Sequence, residues 1–219
     1  MITKTKITQI ALATALVLGS AASRLAADNP APVPAAAVPT ESGHGLLGQN
    51  YLGVSYAYTE FTDTSVSGNT YGLTLNQGVR EGLDTFLEYS YLQSTNTGFG
   101  RIDQQIFDVG ARAFTNLNNG LKPFIEGGLG GLWIKTPELS HQHSFLFFGG
   151  AGVEIQATSE LSFTPFARLS YANSVTNPKQ WNYGLKTNYW FNDKVGLQGT
   201  LSRDNSRDMS YGLGVNFRY

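Results

Sequence analysis

The sequence has no cysteine, little charge and, beyond residue 20, no long apolar run. The lack of cysteine excludes disulfides, thiolate catalysis and thiolate metal sites. Charged residues are 14% of the chain, against about 25% in a typical soluble domain. The net charge of −1 gives no reason to expect a nucleic-acid partner. Because no run of about 18 apolar residues follows residue 20, helical membrane spans are also excluded.

Residues 1–27 have the order of regions that is typical of a secretory signal peptide. Lys4 and Lys6 precede an apolar run of about ten residues, and small residues follow that run. The run is too short to span a membrane as a helix. We predict cleavage after Ala27, with Ala22 as the alternative.

Two regions follow the signal peptide. Residues 28–49 are rich in Pro and Ala and have no periodicity, so we interpret them as a semi-rigid periplasmic linker. Residues 50–219 alternate with period two and are predicted to form one domain of ten strands. The predicted strands span residues 51–59, 69–80, 85–93, 104–114, 122–134, 144–156, 161–172, 182–191, 195–202 and 209–219. Pro165 lies within the seventh, where it removes a ladder donor, so we expect a bulge or local break there.

Alternate residues of each predicted strand, which we call its two parities, form two faces that differ in chemistry. One face is apolar and carries no charge, whereas the other holds most glycines and eight charged residues: Glu88, Asp108, Arg112, Glu126, Glu154, Arg168, Lys186 and Arg218. A surface in water should be about 25–35% charged, and glycine makes room inside a narrow barrel. The pattern therefore favours a barrel whose apolar face meets lipid over a soluble barrel or sandwich whose apolar face is the core.

Aromatic side chains of the apolar face concentrate near the ends of the predicted strands. One girdle comprises Tyr58, Tyr71, Tyr91, Trp133, Phe145, Tyr171, Tyr183 and Tyr211, and a second comprises Phe163, Phe191, Phe217 and Tyr219. Amphipathic rings prefer the depth of the membrane interface. Since lipid cannot satisfy free backbone groups, the first strand must pair with the tenth. We therefore predict an all-β fold, a closed antiparallel up-and-down transmembrane β-barrel.

The signal peptide, the alternating strands and the terminal sequence GVNFRY make residues 50–219 resemble the small bacterial outer-membrane β-barrels of the OmpA, OmpX and opacity-protein type. The resemblance implies a chain embedded in the outer membrane, with lipopolysaccharide outside. It also implies that the barrel-assembly machinery reads the last strand, through Tyr211, Leu213, Val215, Phe217 and Tyr219. Phe is the usual last residue in that family, where Tyr219 stands here. Many members have eight strands, so eight is the alternative to ten.

The four acids and four bases of the polar face predict a salt-bridged network that fills the barrel, because an unpaired buried charge costs several kcal/mol. The alternative is a narrow, gated conduit. We therefore expect a structural or adhesion-like surface role, with polar external loops that either contact a surface ligand or are simply solvated. A narrow pore for small solutes is the second hypothesis.

Candidates for metal binding and catalysis are sparse. His141 and His143 alternate in an external loop and could share a metal, but no third ligand is placed beside them and a solvated pair is the preferred interpretation. A barrel protease or acyltransferase would have to use these histidines with Asp63, Asp103 or Asp208, and none of them forms a motif. We predict no cofactor, no metal and no enzymatic activity.

Overall fold

The computed structural model describes residues 45–62, 66–95, 100–117, 120–136, 142–173 and 178–219. The predicted signal peptide and most of the predicted linker lie outside the described residues. The strands are β1 (Tyr51–Glu60), β2 (Ser67–Arg80), β3 (Leu83–Ser94), β4 (Asp103–Phe114), β5 (Leu121–Lys135), β6 (Gln142–Gln156), β7 (Leu161–Ala172), β8 (Lys179–Trp190), β9 (Val195–Asp204) and β10 (Met209–Arg218). The described ranges contain no helix long and apolar enough to cross a membrane.

The ten strands form one closed barrel in which each strand pairs antiparallel with its neighbours in sequence. Closure comes from β1 and β10, which pair without interruption from Tyr51↔Arg218 to Glu60↔Met209. The prediction of a closed antiparallel up-and-down barrel of ten strands is therefore confirmed. Such closure leaves no strand edge with unpaired backbone groups.

Pro165 marks an interruption in the sheet. Its pairing with β8 is continuous, but the ladder between β6 and β7 stops after Gly152↔Phe166 and resumes at Ile155↔Phe163. The register is the same on both sides of the gap. The structure therefore has a local break at this proline rather than a bulge, since the missing N–H removes a ladder donor without adding a residue.

The barrel has two different ends. The turn end, as we call it, is where β2 meets β3, β4 meets β5, β6 meets β7 and β8 meets β9, and it also holds Gly45–Asn50 and Tyr219. The loop end is the opposite end, where β1 meets β2, β3 meets β4, β5 meets β6, β7 meets β8 and β9 meets β10.

Side chains alternate between an exposed outer face and a buried inner face, because successive residues of a strand point to opposite sides. Residues with large apolar side chains remain exposed on the outer face, such as Leu129 at 47% and Ile125 at 66%. The predicted loop-end girdle lies there too, in the loop-end halves of its strands: Tyr58, Tyr71, Tyr91, Trp133, Phe145, Tyr171, Tyr183 and Tyr211. Trp181, absent from that prediction, is exposed on the same face.

Candidate functional site: the filled lumen

The inner face surrounds a narrow lumen, and glycines create much of its usable width. A Cβ atom at Gly130 would collide with the carboxylate of Asp108 on the neighbouring strand, and one at Gly152 would lie 2.5 Å from the Phe124 ring. Each of these two glycines therefore leaves space that a charged or aromatic side chain occupies. This is one reason why glycines and charges lie on the same face.

Two buried ion pairs lie in the lumen, one between adjacent strands and one that crosses between distant strands. Arg112 on β4 donates to Glu126 on β5 through Nε and Nη2, at 3.1 and 2.9 Å. Arg168 on β7 donates through Nη2 to Asp108 on β4, at 2.8 Å, although three steps round the barrel separate these strands. Both side chains of this second pair are only 2% exposed. We call these two pairs the ionic layer.

Aromatic rings of the inner face support the buried cations. Arg168 lies 3.8 Å from the centre of the Phe148 ring, a distance typical of a cation–π contact. Similar contacts pair Arg112 with Phe86 and Phe124, Lys186 with Phe166, and Arg218 with Trp190. Sequence reasoning missed these rings, although their parity matches that of the charges.

All eight charged residues predicted to face the interior lie on the inner face, but only four of them pair with one another. Glu154 instead pairs with Lys122, at 3.7 Å. Among the described residues, Glu88, Lys186 and Arg218 form no ion pair. The prediction omitted three inner-face charges of the strands, Asp84, Lys122 and Asp204. Parity would have found them, since Asp84 matches Glu88, Lys122 matches Glu126 and Asp204 matches the buried Ser202.

Residues Gly45–Asn50 close the turn end from within, and we call this segment the strap. Its backbone N–H groups donate to two inner-face carboxylates. Leu46 and Leu47 donate to Oε2 of Glu154, at 2.6 and 3.4 Å. Gly48 donates to both carboxylate oxygens of Asp84, at 3.0 and 3.2 Å. Composition assigned residues 45–49 to the linker, whereas here they lie in the barrel.

The strap carbonyls are bound as well. Arg218 donates to Gly45 O at 3.2 Å, Asn76 to Gln49 O at 2.7 Å, and Lys122 to Leu47 O at 3.5 Å. The side chains of Leu46 and Leu47 are buried, and Leu46 belongs to a cluster with Tyr51 and Trp190. The strap is therefore held by both its backbone and its apolar side chains.

The loop-end half of the lumen contains an apolar layer, composed of Ile102, Ile106, Leu132, Ile134, Leu146, Phe148 and Ala172. The expectation of a polar interior is therefore incomplete. The signal was present in the sequence, because Ile106, Leu132 and Leu146 have the parity of the charged residues. An apolar layer opposes ion passage, since a charge gains nothing there in exchange for its hydration.

Two small cavities lie between the strap and the middle of the lumen. One, of about 40 Å³, is lined by the two strap leucines together with Arg112, Arg168 and Lys186 among others. The other, of about 20 Å³, is lined by Lys186, Glu88 and polar residues of β1, β2, β9 and β10. Such volumes hold a few water molecules, so they do not form a wide channel.

The residues considered for catalysis and metal binding are dispersed. Asp103 accepts from Tyr91 at 3.0 Å and pairs with Arg101 at 2.9 Å, and its hydrogen bond raises the pKa of Arg101. Asp208 accepts from Thr62 N at 2.6 Å. His143 is exposed on the outer face. Asp63 and His141 lie outside the described residues, and no metal-binding group of three occurs within them.

The C-terminal strand presents its apolar parity outward. Tyr211, Leu213, Val215, Phe217 and Tyr219 all have the outer parity, while Ser210, Gly212, Gly214 and Asn216 face the lumen. β10 lies between β1 and β9, so this strand completes the barrel.

No family model and no curated protein matches this sequence. Solved structures of outer-membrane barrels do resemble it. An outer-membrane channel from Pseudomonas putida F1 is 11% identical and has a TM-score of 0.55, over 84% of this chain and 100% of the other. The N-terminal barrel of Pseudomonas aeruginosa OprF is 15% identical over 78% and 99%, with a TM-score of 0.42. Neisserial surface protein A is 13% identical over 77% and 95%, with a TM-score of 0.46. The first likeness shows the barrel fold and nothing narrower.

Proposed function

We propose that this protein is a small integral outer-membrane β-barrel with a sealed lumen and a structural or surface-interaction role. The observation that supports it most is the filling of the lumen at three levels. The strap occupies the turn end, the ionic layer crosses the middle, and the apolar layer fills part of the loop-end half. A barrel filled in this way stabilises the membrane around it without opening a path for solutes.

The membrane location rests on the outer face. Exposed apolar side chains encircle the barrel, including Leu73, Leu185 and Leu213 on three separate strands. Exposed apolar patches of this extent are rare on soluble monomers. In a bilayer the same face is favourable, and the pairing of β1 with β10 leaves no open sheet edge in hydrocarbon. Lipopolysaccharide on the outside and the barrel-assembly machinery during biogenesis are the partners that this location implies.

Single-channel recording of the refolded full chain in planar bilayers tests the sealed lumen. We expect no stable open state, because charged, apolar and backbone groups fill the barrel. Glu126→Gln, which weakens the ionic layer while keeping its shape, should at most add brief openings. A porin in the same bilayer serves as the positive control. A large, steady conductance of the native protein would overturn the sealed lumen and replace it with the narrow pore.

The surface role depends on the loop end. Polar residues such as Thr62, Asn173 and Asn205 are exposed there, and they suit contact with a polar ligand or surface. Shortening one external loop at a time in cells, while monitoring barrel assembly, separates adhesion from a purely structural role. Loss of adhesion with normal assembly would support surface interaction, and unchanged adhesion for every loop would leave the structural role.

The proposal includes no catalysis. It is supported by the engagement of Asp103 and Asp208 in local hydrogen bonds, with the Tyr91 hydroxyl and the Thr62 backbone N–H, neither of which is a histidine. Assays of the purified protein with peptide and phospholipid substrates test this directly, with Asp103→Asn and Asp208→Asn as matched variants. Turnover that either variant abolishes would contradict it.

A further inference from the structure

We propose that the turn end of the lumen is a peptide-binding site, and that the strap is its resident ligand rather than a fixed part of the wall. The ligand class is an apolar peptide of the pattern Gly-Leu-Leu-Gly in a turn conformation, as the 3.4 Å hydrogen bond from Gln49 N to Leu46 O shows. Three backbone N–H groups donate to buried carboxylates, and three backbone carbonyls accept from inner-face side chains. A site that binds main-chain groups on both sides has the chemistry of peptide recognition.

The carboxylates of Glu154 and Asp84 are placed to accept hydrogen bonds from a peptide backbone. Glu154 is 1% exposed and Asp84 is 0% exposed, so each needs hydrogen bonds to compensate for the loss of water. The strap supplies three backbone donors to these two groups. The bound side chains come from β2, β3, β5, β6 and β10, which means that the cradle is assembled only by the closed barrel.

The strap sequence is matched to the cradle. A Cβ atom at Gly45 would collide with the Glu154 carboxylate, so a larger residue cannot sit there without displacing it. Gly48 has a φ of 81° and lies against the Phe114 ring, which disfavours any side chain. Leu46 and Leu47 are 7% and 3% exposed. The site therefore favours glycine at positions 45 and 48 and a large apolar side chain at positions 46 and 47.

The strap also covers the larger cavity. Leu46 and Leu47 line it together with Lys186. Dissociation of the strap from its binding site would therefore open a path from the turn end to the Lys186 amine. Reductive methylation of the refolded full chain, followed by mass spectrometry, measures that access. Lys194, exposed in a turn at the same end, serves as the internal control.

The first test weakens the binding of the strap to the barrel without changing residues of the barrel itself. L46S/L47S should raise the methylation rate of Lys186 at least about tenfold relative to Lys194, because two buried leucine side chains no longer hold the segment. G45V should do the same through its collision with Glu154. Both variants leave the barrel wall intact, and heat-dependent gel mobility verifies folding. An unchanged Lys186 rate in both variants, once folded, would overturn the inference.

The second test supplies the ligand in trans. An acetylated, amidated peptide of residues 45–50 at about millimolar concentration, which matches the effective concentration of a tethered segment, should restore Lys186 protection in L46S/L47S. The same peptide with both leucines replaced by serine should not. If the native peptide gives no protection, the strap is only a tethered cover and the binding site is rejected. The strap is one of the three fillings of the proposed sealed lumen, but the ionic layer and the apolar layer still block conductance when the strap is displaced. Conductance and Lys186 methylation therefore test the two proposals separately.

Discussion

The buried charge of Arg168 illustrates how much a single residue of the lumen contributes to the stability of the barrel. Its partner Asp108 is equally buried, and both come from distant strands. Replacing Arg168 with Met leaves an uncompensated carboxylate, so we expect a loss of about 3–5 kcal/mol in the free energy of unfolding. Urea titration of the refolded protein measures it. Arg101→Met, which breaks an exposed pair, should change little, and equal losses would mean that burial is unimportant.

Leu129 and Leu117 form a matched pair for testing what the outer face contacts. They are 47% and 46% exposed, but Leu129 lies in β5 whereas Leu117 lies in a turn. Leu129→Arg should cost about 2–4 kcal/mol of unfolding free energy in a bilayer, because the charge enters hydrocarbon. Leu117→Arg should cost far less in the same urea titration in liposomes. If the two variants are equally stable, the outer face does not contact lipid.

At the scale of one element, β10 combines closure with a proposed role in assembly. Tyr219 follows it, and its hydrogen bonds to other described residues are long, from its backbone N to Asn50 O at 3.4 Å and from its hydroxyl to Asn76 O at 3.5 Å. Deleting Tyr219 should therefore slow assembly in cells while changing the stability of the formed barrel by less than about 0.5 kcal/mol. Pulse-chase gel mobility measures the first and urea titration the second. Tyr219→Phe should behave like the native chain, and a parallel loss of rate and stability would argue against recognition.

For the whole molecule, the fluorescence of the three tryptophans tests which side chains face the lumen and which face the lipid. Trp133 and Trp181 are about half exposed on the outer face, whereas Trp190 is 1% exposed within the barrel. Brominated lipids should therefore quench the fluorescence of W190F strongly and that of W133F/W181F weakly, since bromine quenches only within contact distance of the chains. Equal quenching of the two variants would reverse the assignment of the faces.

The sequence by itself placed the strands to within a few residues, favoured ten of them over the alternative of eight, and sorted their side chains between two faces. Side-chain direction in a strand follows from local geometry, so period-two alternation carries this information without reference to other strands. The inward direction of Asp84 and Ile106 was equally readable, because each lies an even number of residues from a charged residue of the same face, Glu88 and Asp108.

Only the tertiary structure decided which inward groups meet. Arg168 and Asp108 are 60 residues apart, and their contact depends on barrel circumference and strand stagger, which no local pattern encodes. The strap is the clearer case. Its short, aperiodic sequence predicts no element of its own, and it takes its place because carboxylates from distant strands, once buried together by closure, need the hydrogen bonds that its backbone provides.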